Sequence, residues 1–330
     1  MDHIRIIRRA FDITINYRAM WLFGILLALT SGAGGGSGGG GGRGEFPAVP
    51  YRDNILQDLI PVAVTALCLI LILGVIFAIL RYVSLNAVIQ MADRHEVSGE
   101  KISFRQGFRL GWSRTSLRLF LVDLVLGLAV FVAFILLMAL ALGPLLVWLT
   151  DNQPLQVIGT IVAIGLGLLV LLAFIVAMIF ISLVSQFAYR VVVLEGTGVM
   201  DGLQRGIELV RRRFWDVVLM GVILFAIGVV VGIVLIPVAV LLILGTAVIG
   251  GLPALLVGWI TSQFASGALP YILGGIVALP FFLVIFLLPM LFMSGLLELF
   301  FANTWTLTYR EIVPGSVLPA ETAPEVQPAG

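Results

Sequence analysis

The chain has 330 residues, of which 61% are hydrophobic and 11% are charged, and its formal net charge is +1. Soluble domains have roughly 45–50% apolar and about 25% charged residues, so this composition excludes a water-soluble protein and predicts an integral membrane protein. The small net charge gives no indication of a nucleic-acid partner. The single cysteine, Cys68, excludes an internal disulfide and any cysteine-based zinc or iron–sulfur site.

Uncharged stretches predict where the chain crosses the membrane, because a helix needs about 20 mostly apolar residues to span the hydrocarbon core. The predicted spans are 19–33, 59–80, 124–150, 155–189 and two within 217–297. The last region is too long for one helix and must fold back, with a break between about residues 250 and 270. Residues 252–264 have a second interpretation, as a re-entrant or interfacial element.

The arginines predict the orientation, because short cytoplasmic loops are enriched in Lys and Arg. Basic residues precede the first span, lie between spans two and three and between spans four and five, and follow span six. Only Arg43 and Arg52 fall on the other side. Both termini are therefore predicted to be cytoplasmic. A cleavable signal peptide is the alternative for the first span, although Asp2 and Asp12 make its N-terminal region unusual.

The sequence also predicts an internal repeat. An offset of 99 residues aligns Gly107 with Gly206 and Glu96 with Glu195, and Ala10 fits the same frame on Gly107. Each unit contains a basic amphipathic segment, an outward span, an outer loop and an inward span. We predict an all-α integral membrane fold of six transmembrane helices in three repeats. The repeats are 1–92, 93–190 and 191–313, followed by a disordered cytoplasmic tail, 314–330.

The basic amphipathic segments predict helices that lie in the headgroup layer, with the apolar side down and the arginines toward anionic lipid. The expected anionic-lipid contacts are Arg8, Arg9, Arg105, Arg109, Arg211 and Arg212. Ordinary charged loops are the alternative. Membrane lipids are thus the expected partners, and the identity of a protein partner is left open.

Two motifs lie at the ends of this pattern: RRAFDITINYRAMWLFG from Arg8 to Gly24 and TWTLTYRE from Thr304 to Glu311. With the repeated arrangement, they resemble uncharacterised bacterial polytopic proteins similar to the membrane domain fused to some glycerophosphodiester phosphodiesterases. The resemblance implies a multi-pass protein of the bacterial cytoplasmic membrane. The soluble catalytic barrel of the fused proteins has no counterpart here, so their activity is not expected.

No enzyme chemistry is predicted. The glycine-rich tract 32–44 lacks the Gly-Lys-Ser/Thr of a phosphate-binding loop and is expected to be a flexible outer loop. The two histidines, His3 and His95, lie on the predicted cytoplasmic side, away from Ser37, and neither belongs to a metal-ligand pattern. We therefore expect no catalytic residue, cofactor or metal site.

Charged residues at membrane depth are costly and indicate function or pairing. Measured from the inner ends of their helices, Arg81 and Glu298 lie within about 3 Å of the same depth, which predicts a buried ion pair. Asp123 is a rival partner for Arg81. Two functions follow: a non-enzymatic scaffold or accessory protein that organises lipids or a partner, and, as the alternative, a transporter for a small or lipidic substrate.

Overall fold

The computed structural model describes residues 1–34, 55–150, 152–265 and 267–313. Residues 35–44 of the glycine-rich tract, which include Arg43, lie outside the described residues. Arg52 and the predicted tail 314–330 also lie outside them. The described parts contain α-helices and no strand, which confirms the all-α class. The helices are α1 (His3–Asn16), α2 (Trp21–Gly34), α3 (Ile55–Ser98), α4 (Phe104–Gly111), α5 (Arg114–Leu142), α6 (Gln153–Leu194), α7 (Val199–Arg212), α8 (Phe214–Ile249), α9 (Gly251–Ser262), α10 (Leu269–Phe281) and α11 (Leu288–Ile312).

Five helical stretches are long and apolar enough to cross a membrane. They contain 32 to 49 residues, whereas about 20 residues suffice for the hydrocarbon core. The stretches are Leu67–Ser98, Arg114–Leu149, Gln153–Leu194, Phe214–Ser262 and Leu269–Ile312. They overlap the predicted spans two to six, in the predicted order.

The remaining predicted span, 19–33, corresponds to α2. The described part of this helix has 14 residues, which at about 1.5 Å per residue cover about 21 Å of the roughly 30 Å hydrocarbon core. It is joined to α1 through Tyr17 at a bend of 82°, and a sixth stretch is obtained only when α1 and α2 are taken together. The count of six spans therefore stays a prediction.

Residues 252–264 form most of α9. The helix α9 extends α8 without a sharp bend, and the two together make one apolar stretch of 49 residues. The chain turns back after Ser262, and α10 then packs against α9. The approach is close, because a Cβ added to Gly274 would lie 3.0 Å from the Ala254 carbonyl oxygen. The interpretation of residues 252–264 as a re-entrant or interfacial element stays a prediction.

The chain divides into two compact units. The N-terminal unit contains Asp2–Trp112 and Val222–Thr304, and the central unit contains Ser113–Gly221 with the segment that begins at Trp305. The predicted repeats, 1–92, 93–190 and 191–313, describe similarity along the sequence and stay a prediction.

Burial is concentrated at one end of the long helices. In α6, most residues from Leu183 to Val192 are buried, whereas the preceding 25 or more residues are largely exposed. In the two C-terminal stretches, none of the most apolar window is buried. The buried end of α6 carries Arg190 and precedes α7, so it is the end predicted to face the cytoplasm. We call it the inner end of α6 and call the opposite end the outer end.

Candidate functional site

The helix α1 has three faces. Ala10 and Ile13 are buried against the protein, while Ile4, Phe11 and Ile15 are 74%, 54% and 46% exposed. At 3.6 residues per turn these two sets occupy different sides of the helix. The charged side chains occupy a third side and are exposed. They are Arg5, Arg8, Arg9 and Asp12. One face thus holds the helix on the protein, and an apolar and a basic face are left uncovered.

The helix α7 repeats this arrangement. Gly206 and Val210 are buried, while Met200 and Ile207 are 62% and 43% exposed. Its exposed charges lie on the third side. They are Asp201, Arg205, Glu208, Arg211 and Arg212. Both helices therefore present apolar and charged side chains together, as helices in the headgroup layer do.

The helix α4 is shorter and carries no acidic residue. Gly107 and Gly111 are buried on one side, and Arg105 and Arg109 are exposed on another. Trp112, which caps the C-terminal end, is 62% exposed. The structure thus places all three predicted basic segments on helices whose arginines are exposed.

The six arginines predicted to contact lipid differ in their protein partners. Arg9 forms an ion pair with Glu96 at 2.7 Å, and Arg212 forms one with Glu208 at 2.6 Å. The other four have no ion pair within the described ranges. They are Arg8, Arg105, Arg109 and Arg211. Exposed ion pairs contribute little to stability, but they compete with a lipid phosphate for the same guanidinium.

Tyr17 fixes the joint between α1 and α2. Its hydroxyl donates a hydrogen bond to the Ile102 carbonyl oxygen at 2.9 Å and accepts one from the Ile102 amide. Burial raises the pKa of the Tyr17 phenol above its ordinary value, so the group remains the neutral hydroxyl that can do both. The Tyr17 ring also packs 5.3 Å from the His95 ring. The surface helix α1 is thereby attached to the segment that leads into α4.

Glu298 and Arg81 both belong to the N-terminal unit. The Glu298 carboxyl group has Ser31 and Arg81 as its polar neighbours, and the Ser31 hydroxyl donates a hydrogen bond to the Ala28 backbone oxygen at 3.1 Å. Arg81 and Glu298 are not among the ion pairs closer than 4.0 Å in the described part of the chain. The structure therefore adds Ser31 to this polar group, and a direct Arg81–Glu298 pair stays a prediction.

Asp123 belongs to the central unit, where its carboxylate accepts a hydrogen bond from the Tyr189 hydroxyl. Tyr189, the last residue of the predicted span 155–189, therefore supplies a partner for this carboxylate. The rival pairing of Asp123 with Arg81 stays a prediction.

The sequence prediction missed the buried polar contacts at the inner end of α6. Arg190, which directly follows the predicted span 155–189, is a fully buried residue within α6. Its guanidinium donates to the Gln186 backbone oxygen and, at 3.0 Å, to the Gln186 side-chain oxygen. Glu195 accepts a hydrogen bond from the Tyr309 hydroxyl at 2.6 Å and forms an ion pair with Arg205. A Gln and an Arg four residues apart in an apolar helix could have indicated the first of these contacts.

The described residues contain no group of three or more His, Cys, Asp or Glu side chains that could hold a metal ion. The polar groups found instead are hydrogen-bonded pairs and triplets between helices, and arginines on surface helices. Such arrangements join helices to each other and bind anions.

The described residues thus form an α-helical protein with several helices long and apolar enough to span a membrane, which indicates a membrane protein. Within that class, the chain belongs to a family of unknown function, DUF7544, whose model matches residues 9–307. No curated protein and no solved structure matches the chain. The family match provides no link to the membrane domain of glycerophosphodiester phosphodiesterases, so that resemblance stays a prediction.

Proposed function

We propose that this protein is a non-enzymatic scaffold or accessory protein of the bacterial cytoplasmic membrane, which gathers anionic lipids around itself through α1, α4 and α7. In this proposal both termini are cytoplasmic and six transmembrane helices form three repeats. The orientation is supported by the basic residues, because only Arg43 and Arg52 fall on the opposite side from the predicted cytoplasmic segments.

The repeat is supported by matching burial on the three surface helices. The residues aligned with Gly107 are buried in all three helices, and so are the residues four positions later. They are Ala10 and Thr14, Gly107 and Gly111, and Gly206 and Val210. Equivalent faces therefore pack on the protein, as three copies of one structural unit would require.

The lipid-organising function depends on one observation: exposed arginines and exposed apolar side chains occur side by side on helices whose third face is packed. Arg8 lies one helical turn from both Ile4 and Phe11, and all three are exposed. A helix with these faces lies at the headgroup boundary, where each basic residue contributes about 1 kcal/mol toward an anionic surface. Several such residues on one side of the membrane would concentrate anionic lipid there.

The test compares the lipids that surround the protein with those of the bulk membrane. The protein is extracted with its lipids in polymer nanodiscs, and anionic and zwitterionic lipids are quantified by mass spectrometry. We expect anionic lipids to be enriched around the wild type and to return to the bulk fraction in a fourfold Arg→Gln variant. The variant changes Arg8, Arg105, Arg109 and Arg211.

A matched control removes four arginines that are also predicted to lie on the cytoplasmic side but are not part of α1, α4 or α7. These are Arg18, Arg94, Arg114 and Arg213, each changed to Gln. The control should keep most of the enrichment, because its charges do not lie beside exposed apolar faces of the surface helices. Wild-type lipid composition around the first variant would contradict the proposal.

A transport function has one observation in its favour. Ser31, Arg81 and Glu298 form a polar group on three helices, and each lies about ten or more residues from the basic end of its helix. At about 1.5 Å per residue this places them deep in the membrane, where ionisable residues indicate pathways for ions or polar solutes.

Reactivity of a cysteine at position 31 separates the two functions. In a Cys68→Ser background, Ser31→Cys is treated with a membrane-impermeant methanethiosulfonate added to one side of sealed vesicles. Labelling that depends on the side of addition would establish an aqueous path to the polar group and favour transport. No labelling from either side, with full labelling after denaturation, would favour the scaffold.

A further inference from the structure

We infer that α4 carries a binding site for the phosphate headgroup of an anionic phospholipid. This inference rests on the proposed function and narrows it, because it assigns headgroup binding to one of the three surface helices. The site is a surface hollow of about 620 Å³. It is lined by Arg105, Gln106, Phe108, Arg109 and Trp112.

The two arginines are arranged for one anion. Arg105 and Arg109 are four residues apart on α4, so their side chains project from the same side of the helix. Both are exposed, and neither has an ion pair in the part of the chain that the structure describes. Two guanidinium groups one turn apart can donate hydrogen bonds to different oxygens of one phosphate, which is the geometry that arginine favours.

The other two surface helices differ from α4 because they carry acidic residues of their own, Asp12 on α1 and Asp201 and Glu208 on α7. On α7, Arg212 is paired with Glu208 and Arg205 with Glu195, and on α1 Arg9 is paired with Glu96. The eight residues of α4 include no carboxylate. A phosphate at α4 therefore gains two arginines without displacing a carboxylate from either of them.

Aromatic side chains indicate that the phosphate belongs to a lipid. The Phe108 and Trp112 rings are stacked, with centroids 5.9 Å apart and planes 27° from parallel. Trp112 is 62% exposed, and indole rings concentrate at the level of the headgroups, where one side is apolar and the other polar. A free phosphate would gain nothing from these rings, whereas the glycerol and upper acyl chain of a lipid can pack on them.

The backbone under the site is held in place. Ser103 and Gln106 form a capping box at the N-terminal end of α4. On the packed face, a Cβ added to Gly107 would lie 2.5 Å from the Met91 sulfur, and one added to Gly111 would collide with the Val83 carbonyl oxygen. The arginine face is therefore presented by a closely packed helix, which lowers the entropic cost of binding.

The experiment uses bromine on the lipid to quench tryptophan fluorescence at Trp112. Full-length protein is reconstituted with brominated phosphatidylglycerol or brominated phosphatidylcholine that has the same acyl chains. The quenching assigned to Trp112 is the difference between the wild type and Trp112→Phe. We expect phosphatidylglycerol to be preferred at this position over phosphatidylcholine.

The double variant Arg105→Gln/Arg109→Gln should reduce that preference about twenty-five-fold, since each basic residue contributes roughly fivefold toward an anionic surface. The matched control is Arg211→Gln/Arg212→Gln, which removes the same charge from α7 and should leave the preference at Trp112 unchanged. Inorganic phosphate and glycerol 3-phosphate at millimolar concentration should not reduce the quenching.

Three results would overturn the inference: no lipid preference at Trp112, equal losses in the two double variants, or displacement of the lipid by inorganic phosphate. The nanodisc measurement then separates the two proposals. If anionic lipids are still enriched around the wild type, only the assignment to α4 is wrong. If they are not enriched, the proposed function is wrong as well.

Discussion

The two ends of α6 differ in how much of their surface is buried by the rest of the protein. Near its inner end, Phe187 and Val191 are fully buried, and Arg190 is buried with its guanidinium on Gln186. Toward the outer end, Ile161, Leu168 and Leu172 are each about two-thirds exposed. The inner end therefore depends on direct contacts with the protein, whereas the outer length has an apolar surface that the protein leaves uncovered.

This difference has a thermodynamic reason. Lipid chains are as apolar as leucine, so burying a leucine between helices gains little over leaving it in the bilayer. The outer lengths are therefore stable without tight packing. Close approach of helices has to come from small residues, van der Waals packing and interhelical hydrogen bonds, and most of the buried residues of α6 lie at its inner end. Substitutions should consequently cost far more at the inner end than along the outer length.

The largest effect is expected from filling a close contact. In Gly206→Leu, the new Cβ would lie 3.0 Å from the Ala188 nitrogen and 3.2 Å from its Cα. Backbone atoms cannot move aside cheaply, so we expect a loss of about 3 kcal/mol in the free energy of unfolding, the upper end of the usual cost of overpacking. The measurement is unfolding in mixed detergent micelles, followed by circular dichroism.

The matched control is Gly167→Leu in the outer part of α6, where nothing lies within 4 Å of the added Cβ. Its free energy of unfolding should change by no more than about 0.5 kcal/mol. Equal losses for the two variants would show that the inner and outer parts do not differ in packing.

A smaller effect is expected from removing one inner hydrogen bond. Tyr309→Phe takes away the hydroxyl that donates to Glu195 at 2.6 Å. Because the acceptor is a carboxylate, we expect a loss of about 1.5–3 kcal/mol, toward the lower end because Glu195 keeps its ion pair with Arg205. The outer counterpart is Trp148→Phe, which removes an exposed hydrogen bond of 3.0 Å to Thr160 and should cost less than about 0.5 kcal/mol. A larger cost at Trp148 would reverse the comparison.

Arg81 and Glu298 test whether polar side chains stabilise each other at greater membrane depth than the inner ends of the helices. A double-mutant cycle measures unfolding of Arg81→Ala, Glu298→Ala and the double variant. Since Arg81 acts electrostatically on Glu298, we expect a coupling free energy of about 1 kcal/mol. If the two single losses simply add, the residues are not coupled and the predicted pair does not form. Ser31→Ala, which removes the other polar neighbour of Glu298, should reduce stability without abolishing the coupling.

The smallest effect is expected from shortening the glycine-rich tract. Replacing residues 35–42 by three glycines should leave membrane abundance and the unfolding transition unchanged, because loop-closure entropy depends weakly on length. A marked loss of abundance in a quantitative immunoblot would show that the tract makes contacts with the rest of the protein.

The sequence predicted the elements well where a local pattern determines them. The apolar stretches located the long helices, and glycines with φ of 66° and 68° follow α3 and α6 at Gly99 and Gly196. The amphipathic pattern located α1, α4 and α7. The same reasoning predicted that α2 is a separate span. The bend of 82° between α1 and α2 was not predicted, because composition alone does not determine where a helix is bent.

The candidate sites were predicted less completely. The arginines of the surface helices were identified from their spacing, but the sequence does not say which of them are paired with carboxylates. Glu298 was identified as a deep charge, whereas its polar neighbour Ser31 is more than 260 positions away in the chain. Arg190 was counted with the residues between spans four and five, because the uncharged stretch that predicts span four ends at residue 189.

The sequence by itself determined that this chain is apolar enough for a membrane, where its long helices lie and which short helices carry basic residues. Those properties depend on composition and on periodicity within a few helical turns, which involve only residues that are close together in the sequence. The tertiary structure decided that Arg190 is buried, that Glu195 is shared by Tyr309 and Arg205, and that the α4 arginines are free while those at positions 9 and 212 are paired. Contacts of this kind join residues distant in the chain, and their free energy depends on distance and burial, which no local pattern contains.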